Sequence, residues 1–122
     1  MSKLPVTLAD IQAARVVLAG QVIRTPTLPA PKLSTFTGAE VWVKYENMQV
    51  TNSFKDRGAY VKLSSLDAAA RKKGVVTMSA GNHAQAVAYH AQRVGIPPTG
   101  GLPGQTPQVK IRKNEGFGAG IL

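Results

Sequence analysis

An α/β architecture with a mainly parallel sheet is predicted by three features of the sequence. Short β-rich or apolar runs, at residues 41–45 and 75–78, alternate with segments of helical length. Glycine and proline punctuate the joins. The resulting order is helix, strand, helix, strand, helix, weak strand, helix, strand stub. That order implies right-handed crossovers between parallel strands, with helices covering the sheet.

Each element follows from local chemistry. Thr7 is a helix cap with Asp10 three positions on, an acidic capping box. Ile11, Ala14, Val17 and Leu18 then recur at helical spacing as far as Gly20. Residues 24–38 hold three prolines and are expected to be irregular. Val41-Trp42-Val43-Lys44-Tyr45 is a strand. Ser53 is expected to cap a helix running to Lys73, with Gly74 ending it. Val75 to Met78 is a short apolar strand, and Gly81 to Val94 a helix stopped by Gly95. Residues 97–105 are rich in proline and glycine and make a weak strand at best. Thr106-Pro107 places proline at the first turn of a helix over 107–115, ended by Gly116 and Gly118. Residues 119–122 open a strand.

Composition bounds the function. The 122 residues are 43% hydrophobic and 17% charged, a globular balance with room for one small domain or a piece of a larger one. With no cysteine, disulfides, thiolate nucleophiles and Cys-based zinc sites are ruled out. His83 and His90 stand seven apart, a poor chelating pair on a helix, so no metal site is expected. No membrane-spanning run and no secretory leader are evident, and a cytoplasmic protein is expected. The formal charge is +9, from 15 basic and 6 acidic residues. The basic clusters, Arg71-Lys72-Lys73 and Lys110, Arg112 and Lys113, sit at or within predicted helices without interleaved aromatics. They read as solvated surface, with no nucleic-acid partner expected. A basic binding module without catalysis is the competing class, and the retained Lys55 argues against it.

Two stretches carry chemistry. In Thr51-Asn52-Ser53-Phe54-Lys55-Asp56-Arg57-Gly58-Ala59, Lys55 falls in the first turn of a helix. The macrodipole disfavours a cation there, while free backbone N–H groups favour an anion such as phosphate. That setting suits an amine that forms a Schiff base, with Phe54 able to pack against a planar ring. The plainer alternative is a surface lysine that neutralises Asp56 or Glu46. In Thr77-Met78-Ser79-Ala80-Gly81-Asn82-His83-Ala84-Gln85-Ala86, a strand enters a tight polar turn and then a helix, the end of a parallel sheet where ligands bind. Ser79 supplies a hydroxyl, Gly81 close backbone approach, and Asn82 both donor and acceptor. The alternative is a turn in which Ser79 or Asn82 merely caps the helix.

Together the two stretches resemble the pyridoxal-phosphate enzymes of fold type II, most closely the threonine dehydratases (threonine ammonia-lyases) with their serine dehydratase and serine racemase relatives. Thr106-Pro107-Gln108-Val109-Lys110 and Glu115-Gly116-Phe117-Gly118-Ala119 extend the match, which runs from about residue 8 to the end. The resemblance implies a parallel-sheet, three-layer fold, only partly present. Residues 1–52 would belong to a large domain and 53–122 would form most of a small α/β domain. It implies pyridoxal 5'-phosphate as cofactor, carried on Lys55, with Phe54 against its ring and Asn82 on its 3-hydroxyl oxygen. Ser79, Gly81, Asn82 and His83 would frame the carboxylate of an amino-acid substrate. Lys55 would serve as base at Cα in a β-elimination that converts L-threonine or L-serine to 2-oxobutanoate or pyruvate plus ammonia, as at the start of isoleucine biosynthesis. Ala80 replaces the serine that racemases use as a second acid/base, which favours elimination over racemisation. A homo-oligomer is implied for the intact parent.

The sequence also departs from that family. No glycine-rich loop able to cradle the cofactor phosphate occurs, and the C-terminal hydroxyl or thiol facing the pyridine nitrogen is absent. Gly100 and Gly101 replace β-branched strand residues, and Gly120 replaces an acidic one. A truncated N-terminal part of a dehydratase is therefore expected, catalytically weak on its own.

Overall fold

The computed structural model describes residues 5–79, 81–101, 112, 115, 116, 120 and 121. Helix α1 (Leu8–Leu18) begins as its sequence predicts: the Thr7 hydroxyl accepts from the Asp10 backbone, and the Asp10 carboxylate accepts from the Thr7 N–H at 2.7 Å. None of its residues is buried, and Leu8 and Val16 stand open. Capping therefore fixes this helix locally, and its apolar residues stay largely uncovered.

Residues 24–38 are not the irregular connection that their prolines suggest. Strand β1 (Thr27–Pro29) and helix α2 (Pro31–Thr37) form there. Pro29 ends the strand and Pro31 opens the helix, positions where a missing N–H costs nothing. Gly38 closes α2 at φ +72°. Strand β2 (Trp42–Lys44) pairs antiparallel with β1, Thr27 opposite Lys44 and Pro29 opposite Trp42. A short 3₁₀ turn, Glu46–Met48, follows.

The continuous helix expected from Ser53 to Lys73 is two helices, α3 (Lys55–Ser64) and α4 (Ala68–Lys73). Asp67 breaks it: its carboxylate accepts the Ala70 N–H at 2.7 Å, a strong cap that starts α4 afresh. Arg71 then reaches back to the Leu66 and Ser64 carbonyls at 2.9 and 3.1 Å, so part of the basic cluster serves the α3–α4 corner. Gly74 ends α4 at φ +83°, a conformation that favours glycine.

Strands β3 (Val75–Met78), β4 (Pro98–Gly101) and β5 (Gly120–Ile121) form a parallel sheet in the order β3-β4-β5. Helix α5 (Asn82–Arg93) joins β3 to β4, packs on both and lies against α3. The weak strand is thus the middle one. Pro98 takes its first position, and Gly101 leaves room for Met78, whose sulfur a Cβ would overlap. Two apolar clusters fill the α3–α5 contact: Ala59, Ala86 and Val87, then Leu63, Ala91 and Ile96, with Val75 touching both. The small side chains let α3 and α5 approach closely. The parallel sheet agrees with the sequence expectation, and the antiparallel β1–β2 ribbon stands apart from it. The predicted helix over 107–115 lies mostly outside the described residues. Arg112, Glu115 and Gly116 are helical, so Gly116 does not stop the helix as expected.

Candidate active site

Lys55 and Asn82, the two residues singled out as cofactor contacts, are the first residues of α3 and α5. Neither helix carries a side-chain N-cap. Ser53 is not the cap that the sequence suggests: Phe54 holds that position, and the Ser53 hydroxyl accepts the Lys55 N–H at 3.2 Å instead. Likewise Gly81, not Ser79 or Asn82, is the cap of α5, and the Ser79 hydroxyl accepts the Gly81 N–H at 3.2 Å. In both turns a serine hydroxyl shapes the approach: at α3 it takes the N–H of the first helical residue, and at α5 the N–H just ahead of it.

The Lys55 side chain is exposed, with Nζ 4.8 Å from the centroid of the Phe54 ring. Among the described residues no carboxylate lies within ion-pair distance of it. The two carboxylates that might have neutralised it are engaged elsewhere. Glu46 accepts two 2.7 Å bonds from Arg57 and one from the Thr25 hydroxyl. These bonds, Arg57 foremost, hold its carboxyl at about 2, well below the usual 4.5. Asp56 is buried and bonded to Thr51 and His90. Burial pushes its carboxyl up, and the hydrogen bonds outweigh that and leave it below its ordinary value.

A groove of about 680 Å3 runs between α3 and β3. Phe54, Lys55 and His83 line it, with Val75 and Val87 supplying apolar wall. Thr77 also lines it. This side chain is 6% exposed, and among the described residues its hydroxyl is without a hydrogen-bond partner. Ser79, Gly81 and Asn82 are not among the residues lining the groove, so the second stretch reaches it through Thr77 and His83. Ala80 lies outside the described residues. His83 is exposed and His90 buried, and no group of three or more His, Asp or Glu side chains gathers among the described residues.

An exposed primary amine beside an aromatic face, an apolar-walled groove, a hydroxyl without a partner among the described residues and two helix N-termini, whose dipoles favour an anion, suit a planar, anionic aldehyde. The residues present therefore fit pyridoxal phosphate at its amine-linked end. Sequence reasoning placed Thr77 at the head of the second stretch and gave it no role, because its apolar strand neighbours concealed it. It missed the pairing of Asp56 with His90, which are 34 residues apart.

Comparison with known proteins agrees with this fit. Residues 18–122 match the family described as pyridoxal-phosphate dependent enzyme. The chain belongs to that family, and its cofactor is pyridoxal phosphate. It is similar to an L-threonine ammonia-lyase of Thermotoga maritima, 47% identical over 96% of this chain and 29% of the relative. It is also similar to an L-threo-3-hydroxyaspartate ammonia-lyase of a Pseudomonas species, 42% identical over 93% of this chain and 35% of the relative. Among solved structures, a serine racemase from Dictyostelium discoideum superposes with a TM-score of 0.89 at 38% identity, covering 95% of this chain and 38% of that one. Threonine deaminase isoform 2 from Solanum lycopersicum superposes at 0.81 with 39% identity, covering 94% and 31%. The chain thus spans about a third of the length of its relatives. Among the described residues no helix is long and apolar enough to cross a membrane.

Proposed function

We propose that the chain carries the lysine-bearing part of an ammonia-lyase that removes water and then ammonia from L-threonine or L-serine, giving 2-oxobutanoate or pyruvate. The observation that carries this reading is Lys55, an exposed amine at the first residue of α3, beside Phe54 and free of any carboxylate partner among the described residues. The names of the two ammonia-lyases above support the same reaction class.

When bound, pyridoxal phosphate supplies an electron sink for charge developing at the substrate Cα. Lys55 Nζ would hold the cofactor and would serve as the base that takes the Cα proton. Phe54 would pack against the ring, and the Asn82 amide would donate to the 3-hydroxyl oxygen. Ser79, Gly81, Asn82 and His83 hold the substrate carboxylate and so fix which Cα bond faces the amine. Residues 1–52 are read as part of a large domain and 53–122 as most of a small one. The separate antiparallel ribbon and parallel sheet support that division. A homo-oligomeric cytoplasmic enzyme supplying isoleucine biosynthesis completes the reading.

Racemisation is the second reading, favoured by the superposed serine racemase. Alanine at position 80 has no proton to give on the opposite face of Cα, which favours elimination.

Mixing the chain with pyridoxal phosphate, reducing with borohydride and mapping the labelled lysine by mass spectrometry tests the assignment. Selective labelling of Lys55 is expected, and labelling in proportion to exposure would overturn it. Release of 2-oxobutanoate from L-threonine against D-serine formation from L-serine, measured on the chain, separates the two chemistries.

A further inference from the structure

The residue after the candidate lysine starts a buried polar chain. Asp56 and His90 are each 1% exposed. His90 Nε2 lies 2.9 Å from Asp56 Oδ1, and the Thr51 hydroxyl donates to Asp56 Oδ2. On the other side, Arg93 Nη1 lies 3.1 Å from His90 Nδ1. A guanidinium only donates, so Nδ1 accepts and the ring proton sits on Nε2, where it is donated to Asp56. Arg93 also donates to the Gln21 carbonyl and side-chain oxygen at 2.9 and 3.1 Å. Tyr60 and Tyr89 meet the His90 ring edge-on, and the ring itself is buried, while Arg93 reaches it from the surface.

Every member has its partners, so the network is internally satisfied. Stability alone does not call for it, because a well-packed apolar pair does as well as a buried ionic one or better. What directional bonds add is one fixed placement of α3 on α5. Asp56 lies in the first turn of α3, next to Lys55. His90 lies on α5, whose first residue is Asn82.

We propose that Asp56 and His90 are positioning residues, which through Thr51 and Arg93 fix Lys55 relative to Asn82; this rests on the assignment of those two residues given above. Neither touches the reacting atoms. They act on where the amine stands.

The test uses the chain as it exists, with His90→Leu, which removes both bonds, and His90→Gln, whose amide can donate to Asp56 and accept from Arg93. One readout is the ratio of Lys55 to Lys62 labelling by pyridoxal phosphate and borohydride. The other, free of cofactor, is amide hydrogen exchange over residues 55–58 against α1. In His90→Leu the labelling ratio is expected to fall about tenfold and exchange over 55–58 to rise about tenfold, one charged hydrogen bond's worth. In His90→Gln both are expected to stay within about twofold. If His90→Leu does not fold, the volume-conserving Thr51→Val carries the same comparison. Unchanged exchange and labelling in a folded His90→Leu or Thr51→Val overturn the proposal, as does a His90→Gln that behaves like His90→Leu. The expected exchange pattern with no Lys55 preference in the unmodified chain leaves the positioning of α3 standing and overturns the assignment of Lys55.

Discussion

Arg57 grips both carboxylate oxygens of Glu46, Nε and Nη2 each at 2.7 Å. This bidentate pair ties the first turn of α3 to the turn after β2, and Gln49 extends the tie by bonding both the N–H and the carbonyl of Ile23, at 3.0 and 2.8 Å. The helix that presents Lys55 is therefore clamped from the N-terminal side as well as against α5.

The clamp makes stability sensitive to acid. Glu46 sits at about 2 when folded against 4.5 ordinarily. The unfolded chain therefore binds a proton first as pH falls. The contribution is complete above pH 4.5 and is lost between 4.5 and about 2. Glu46→Gln should cost about 2 kcal/mol near neutrality, with the gap to the parent chain closing toward pH 2. Urea unfolding of both chains across that range checks it. Asp10 and Asp56 titrate in the same sense in both, so the difference isolates Glu46.

Lys55→Ala should separate chemistry from stability. Among the described residues the amine meets the exposed Phe54 ring alone, a contact worth about 0.5–1 kcal/mol. The variant should unfold within about 1 kcal/mol of the parent and lose all selective labelling at position 55. Denaturation and borohydride trapping, run on the same preparation, decide.

Two glycines should respond unequally to alanine. At Gly74, φ is +83° and a Cβ would stand 2.7 Å from the Pro97 carbonyl oxygen, a backbone atom that cannot step aside. Gly74→Ala should cost about 2–3 kcal/mol. At Gly101 the obstacle is the end of the Met78 side chain, which is 80% exposed and free to swing away. Gly101→Ala should cost less than about 1 kcal/mol. Paired unfolding midpoints test the ordering.

Thr77→Val removes a buried hydroxyl with no partner among the described residues and keeps the shape. Because nothing is left unpaired, the variant should be more stable by about 1 kcal/mol. A calorimetric scan that finds it less stable would mean the hydroxyl has a partner in solution.

What the sequence made legible was local. The Thr7–Asp10 box and the glycines at 74 and 95 involve residues within a few positions of each other, and they end or start helices where expected. Strand β1 escaped because three exposed residues ending in proline carry no period, and only β2, thirteen or more positions on, makes them a strand. The Asp67 break was readable in principle from its spacing to Ala70, and the helix-forming run on either side masked it. The same division holds at the site. Lys55, Phe54 and His83 were named from their motifs and share one groove. Ser79 and Asn82 were named with them, but their turn reaches the groove only through its neighbours Thr77 and His83. The Asp56–His90 bond depends on how α3 lies on α5, which no spacing encodes.

Arg93 reaches Gln21 across 72 positions of chain. During synthesis Gln21 emerges long before its partner, and this one contact cannot form until all of α5 has left the ribosome. Closing so long a loop delays that contact further, because its entropy is lost before any bond forms. The tie from Gln21 to α5 is therefore later than the ties that Ile23 and Glu46 make to Gln49 and Arg57. A chain halted between residues 58 and 93 would present Lys55 on a helix that Glu46 can already hold and α5 cannot.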